Sequence, residues 1–108
     1  MSEWVENGMA TTIGVARLTL YLDDSFSLKD KRQVMRSISK QVRNKFNVSI
    51  AEVSDMNDMR MGTLAIVCVS NSAPHADEML ATVLNFIEAR VEMGVVGEIE
   101  TELIPYGD

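Results

Sequence analysis

The chain has 108 residues, with ten Lys and Arg against sixteen Asp and Glu, one His, one Cys and eight Met. A formal net charge of −6 excludes a surface that binds polyanions indiscriminately, but it leaves room for a local cationic patch. The length suits one domain with one modest core, and a lone cysteine, Cys68, allows neither an internal disulfide nor a Cys-based zinc site.

Residues 1–10, MSEWVENGMA, read as an N-terminal extension ahead of a domain spanning 11–105. Trp4 is a candidate for docking on the body, and Met9 for an alternative start. The extension has acids where a signal peptide needs bases. No apolar run in the chain approaches the roughly 20 residues of a membrane span. A cytoplasmic protein is expected.

Thr12 to Leu22 is rich in β-branched and aliphatic residues and reads as a strand. Gly14, Ala16, Leu18, Leu20 and Leu22 point one way, and Ile13, Val15, Arg17, Thr19 and Tyr21 the other. After the loop Asp23-Asp24-Ser25-Phe26, the period changes. Leu28, Met35, Ile38, Val42 and Phe46 recur at about 100° per residue and predict an amphipathic helix over Ser27 to Lys45. Ser27 with Asp30 makes a capping-box-like start, and Asn47 is placed to end the helix in a left-handed conformation. Val48 to Val53 is a second strand, closed by the turn Ser54 to Arg60. Gly62 to Ser70 is a third; it is apolar on both faces, which predicts a place in the middle of a sheet. Ser72 and Pro74 open a second helix, supported by Asp77 and Glu78 in its first turn, with Ala76, Met79, Leu80, Val83, Leu84, Ile87 and Val91 on its buried face. Gly94 and Gly97 end that helix, and Glu98 to Ile104 is the last strand.

The order β-α-β-β-α-β with short links predicts an α+β, ferredoxin-like split βαβ sandwich, one antiparallel sheet carrying both helices on one face. The face without helices would carry Ile13, Val15 and Tyr21 beside one of two sets on the third strand, Leu64, Ile66 and Cys68 or Thr63, Ala65, Val67 and Val69. That is a large apolar area to leave wet. Two covers are open: a second copy of the chain, or the tails through Trp4 or Tyr106.

Charge is segregated along the chain. Residues 29–45 hold seven of the ten bases and a single acid, Asp30, whereas the remainder holds three bases and fifteen acids. Lys29, Lys31, Arg32, Arg36, Lys40 and Arg43 are the candidate nucleic-acid or anion contacts, with Arg60 as an extension of the patch. A plain solvated helix wall is the alternative; such walls usually mix both signs, and this one does not.

Catalytic and metal-binding patterns are thin. The third strand has no aromatics with which to stack bases as an RNA-recognition motif does. Gly94-Val95-Val96-Gly97 fits the GxxG of a KH loop only by letter, since it lies between a helix and a strand. His75 reads as a surface residue at a helix start, and Asp23 with Asp24, or Asp55 with Asp58, as solvated turns. The Met residues of the 56–61 turn could form an adaptable contact patch. Cys68, in an apolar run, reads as a buried inert thiol. No phosphate loop, nucleophile elbow or metal-ligand spacing occurs. No catalytic residue, metal or cofactor is expected.

Ser27-Leu28-Lys29-Asp30-Lys31-Arg32 resembles the SLK-acid-KR signature of the YlxP-like family, small bacterial proteins classed as a domain of unknown function. Ile13-Gly14-Val15, the run Arg43 to Val53 and Phe86-Ile87-Glu88 are similar to further family segments in the same order, so the resemblance covers about residues 11–104. It implies a ferredoxin-like fold and a bacterial cytoplasmic setting. Family genes often lie among those for translation and ribosome maturation, and the resemblance implies no established activity. The N-terminal extension and the Met-rich turn depart from the family pattern.

These readings together lead to a non-enzymatic accessory factor that docks on ribosomal RNA or a ribosome-associated protein through the basic helix, with a homodimer formed through the open sheet face and no membrane partner. The alternative is a homodimeric regulatory module that binds a small anionic ligand. A small enzyme of acylphosphatase type is disfavoured, because the loop DDSF is acidic where a phosphate cradle is needed.

Overall fold

A computed structural model of the chain describes residues 11–23, 27–91 and 94–107. The extension with Trp4 and Met9, and Asp24 to Phe26 of the first loop, lie outside the described residues. The elements are β1 (Thr11–Leu22), α1 (Leu28–Lys45), β2 (Ser49–Ser54), β3 (Met61–Ser70), α2 (Ala73–Arg90) and β4 (Gly94–Tyr106). The strands form one antiparallel sheet in the order β2-β3-β1-β4. This is the α+β ferredoxin-like arrangement that the alternation of strand and helix periods predicts.

The core lies between the sheet and the two helices. Along β1, Gly14, Ala16, Leu18, Leu20 and Leu22 are buried in strict alternation with more open neighbours. On β3 the register sets Leu18 against Leu64, Ala16 against Ile66 and Gly14 against Cys68. The helix-side set of the third strand is therefore Leu64, Ile66 and Cys68, and the open-side set is Thr63, Ala65, Val67 and Val69. α2 covers β1, β3 and β4, while α1 packs over the edge strand β2. Met35, Ile38 and Val42 of α1 join Ala76, Leu80, Val83 and Ile87 of α2 in the same cluster. Gly62 lets α1 come down on β3, since a Cβ there would lie 2.7 Å from Met35 Cε.

The start of α1 is the capping box its sequence predicts. Asp30 N–H donates to Ser27 Oγ at 3.0 Å, and Ser27 N–H donates to Asp30 Oδ2 at 3.1 Å. These bonds, the backbone one first, hold the Asp30 carboxyl below its ordinary value.

Three local expectations are corrected. Asn47 is not a left-handed stop: α1 ends at Phe46, whose backbone is extended (φ −125°), with its ring edge-on to Phe86 at 5.3 Å. Asp77 and Glu78 lie beyond the first turn of α2. Gly94 and Gly97 do not end that helix, which stops at Arg90; both belong to β4. Gly97 sits where the β1–β4 register shifts, under the Tyr21 ring, and Gly94 pairs with Leu22 beyond the shift, against the Tyr21 carbonyl. Tyr21 reaches across β4 and its hydroxyl donates to Glu98 Oε1 at 2.7 Å. The bond to Glu98 raises the Tyr21 phenol above its ordinary value.

Candidate functional site

α1 divides its cations between two sides. At 100° per residue, Lys29, Arg32, Arg36, Lys40 and Arg43 fall in a sector about 80° wide and run about 21 Å along the axis. All five are exposed. The described residues contain two ion pairs within 4 Å, Arg17–Glu100 and Lys31–Glu52. The five cations of the row therefore meet no carboxylate of the described residues at that distance. Arg43 has a backbone partner, its Nη2 donating to the Ile50 carbonyl at 2.8 Å.

Lys31 is not on the row. Its side chain is fully buried (0% exposed). It lies three residues after Leu28 and four before Met35, the spacing of the apolar face. Its Cε would lie 3.2 Å from a Cβ on Gly62, so the stem runs over β3. Nζ donates to the Asp55 carbonyl at 2.6 Å and lies 2.9 Å from Glu52 Oε2. That second contact is an ion pair by distance without an aligned hydrogen bond, and the buried oxygen has no other partner. A charge in the core has to be compensated in this way. Lys31 thus fastens α1 to the β2–β3 turn, where the Asp55 carbonyl also accepts from Asp58 N–H at 3.1 Å and Asp55 adopts a left-handed backbone (φ 60°). It is a positioning residue and unavailable to an external anion. Glu52, on the inward side of β2 beside Ile50, is its uncharted partner; the inward parity of the two residues was the available signal.

Beside this anchor runs an open cleft of about 470 Å³. Arg36, Lys40 and Arg43 line one wall, Ala51 and Glu52 of the edge strand line the other, and Met35 and Met56 supply apolar surface. With Glu52 held by Lys31, the cleft presents three outward cations over an apolar floor. Met56 and Met59 of the turn are exposed, and Arg60 follows at the end of the sheet where α1 begins, its carbonyl accepting from Leu22 N–H at 2.7 Å. Lys45 stands apart, 5.8 Å from the Phe86 ring centroid, a ring that Arg90 also covers at 4.0 Å.

The remaining candidates have local partners. His75 Nδ1 lies 3.0 Å from Ser70 Oγ. The Asp58 carboxylate accepts from Arg60 N–H at 2.8 Å, and that of Asp55 from Thr63 Oγ1 at 3.2 Å. Cys68 is buried, and desolvation pushes its thiol up. Among the described residues no cluster of three or more His, Cys, Asp and Glu could hold a metal ion, and no helix is long and apolar enough to cross a membrane.

Residues 13–99 match the family of proteins of unknown function DUF503. The chain belongs to that family. The DUF503 match runs from β1 into β4 and so takes in the whole cationic row. The chain is also similar to the uncharacterized protein YlxP of Bacillus subtilis (strain 168), at 37% identity over 81 residues, covering 75% of this chain and 88% of that protein. DUF503 membership fixes kinship and brings no activity with it.

Proposed function

We propose that this protein is a non-enzymatic accessory factor that docks on RNA through the outer side of α1, with Lys29, Arg32, Arg36, Lys40 and Arg43 against the phosphate backbone. The observation that carries this reading is the exposed row itself, five cations free of ion pairs with the described residues on a chain of net charge −6. The acidic remainder repels a polyanion, so contact is confined to one helix. The row carries no aromatic side chain on which a base could stack, so binding is to the backbone and tolerant of sequence. Ribosomal RNA is the target of choice for the test, given the family's gene setting.

Five phosphate contacts on single-stranded RNA give a salt slope of about −3.5 in log–log form, or roughly a hundredfold loss of affinity between 50 and 200 mM salt. Co-sedimentation with ribosomal subunits across a salt series measures it, with an Arg32→Glu, Arg36→Glu variant alongside. Steep salt dependence that the variant abolishes supports the reading. Salt-independent binding, or binding that the variant retains, overturns it.

The cleft favours a second reading, a regulatory module that takes a small anion between Arg36, Lys40 and Arg43. Inorganic phosphate or pyrophosphate would then raise the melting temperature with increasing concentration, and Lys40→Ala would remove the effect.

A further inference from the structure

The side of the sheet opposite the helices has no cover among the described residues, and its side chains form a regular grid. Across β3, β1 and β4 the register aligns Val69, Ile13 and Ile104 in one row, Val67, Val15 and Glu102 in the next, and Ala65, Arg17 and Glu100 in the third. On β2, Ser49 stands beside Val67 and Ala51 beside Ala65. Val69 is 64% exposed and Val67 36%. Continuous apolar faces of this kind on a small domain mark an interaction surface.

We infer that this face joins two copies of the chain, with the two-fold axis parallel to the strands between β1 and β3. That axis keeps each row in place and exchanges columns. Val67 then lies over Val15 of the second copy, and Val69 over its Ile13. The bulky members of the third row meet small ones, Arg17 against Ala65 and Glu100 against Ala51, while Glu102 meets Ser49. The in-plane axis at right angles would instead stack β4 on β4 and bring Glu100 and Glu102 against themselves, which like charge disfavours. A β4-to-β4 edge pairing brings the same acids together and is disfavoured for the same reason. Of these arrangements the strand-parallel axis alone sets bulky side chains over small ones and keeps the acids of β4 apart, as an isologous interface on this face requires.

The area agrees. Four strands at about 4.8 Å spacing and nine residues of β1 cover roughly 19 by 27 Å, or about 500 Å² per copy. The total of about 1,000 Å² is at the lower bound for a specific interface, so the dimer should dissociate on dilution. Both copies of α1 stay outside, on opposite surfaces roughly 30 Å apart, since the four layers are separated by three spacings of about 10 Å each. If the RNA reading holds, one dimer grips two phosphate tracks at once and gains avidity; the pairing itself does not depend on that reading.

The test is the mass of the RNA-free full chain by light scattering or sedimentation over a concentration series. The expected result is a shift from the 12.0 kDa chain to a particle of about 24 kDa at high micromolar protein. Val67→Glu and Val15→Lys, on the solvent side of the monomer's sheet and facing each other across the two-fold, should each be folded by circular dichroism and monomeric. Mixing them in equal amounts should restore the larger particle. A native chain that stays monomeric throughout overturns the inference. So does a chain that dimerises only once residues 1–10 are removed, because the face would then be covered by its own tail.

Discussion

Lys31→Met separates the two classes of cation on α1. Met keeps most of the stem that packs over Gly62 but removes the ammonium 2.9 Å from Glu52 and 2.6 Å from the Asp55 carbonyl. Breaking a buried pair by deleting one partner costs about 3–5 kcal/mol, because the other charge stays behind uncompensated. The Glu52 side chain is 16% exposed and Asp55 keeps its bond from Asp58, which puts the loss near the lower figure, about 3 kcal/mol. A domain of this size has roughly 5–15 kcal/mol in all, and at about 4 °C per kcal/mol the melting temperature should fall by about 12 °C. Arg36→Met, five residues along and fully outside, should change stability by less than about 0.5 kcal/mol. A Lys31→Met, Glu52→Met pair should recover most of the loss, because a buried ion pair replaced whole by apolar groups is close to neutral. Urea denaturation followed by circular dichroism gives each midpoint, with an unchanged slope confirming that the native state is intact. A Lys31→Met midpoint equal to that of Arg36→Met would refute the burial of the charge, and a double variant as unstable as the single would refute the pairing.

Two further outcomes follow from Tyr21 and Cys68. The Tyr21 phenol is raised by its bond to Glu98, so the stability it contributes is present below the ordinary tyrosine value and lost as pH climbs through the higher folded one. In a Tyr106→Phe background, ultraviolet titration should show Tyr21 ionising above 10.0, and Gly97→Ala, which pushes the ring off β4, should bring it back; an unmoved midpoint would sink the account of Gly97. Cys68 has a raised thiol in the core, so a thiol reagent should label it only at the rate at which the fold opens, and labelling as fast as a free thiol would contradict its burial.

The order of elements was legible because each strand and helix announces its own period, and a strand apolar on both faces can only be central. What is not legible locally is decided by distant residues. Lys31 shares the charge of the row, but its spacing of four, seven and eleven residues from Met35, Ile38 and Val42 puts it on the apolar face. Period outranks residue type when a partner exists in the core, and Glu52 of β2 is 21 positions away. The glycines of β4 look like a helix stop from their neighbours alone; their use as a bed for Tyr21 depends on a strand more than seventy residues earlier. Phe46, at the end of α1, likewise packs on Phe86, forty residues later. The exposed row, by contrast, needed no distant partner to be found, and all five of its members stand where the helical wheel puts them.

The edge position of α1 ties these observations together. α2 covers the middle of the sheet and keeps a mixed, mostly acidic outer side, with Asp77, Glu78 and Glu88 against Arg90. α1 overhangs β2, the short edge strand, where less apolar surface is available to hold a helix down. A buried charge does part of that holding: Lys31 reaches under the helix to the turn that carries Met56 and so sets one end of the cleft. Among the described residues the outward row makes no ion pair and no side-chain hydrogen bond, apart from the bond of Arg43 to the Ile50 carbonyl. Stability and anion affinity should therefore separate by residue on one helix. Lys31→Met weakens the fold, while Arg36→Glu leaves the melt alone and weakens binding. Loss of both properties in the same variants would mean that the row is part of the scaffold and no docking face.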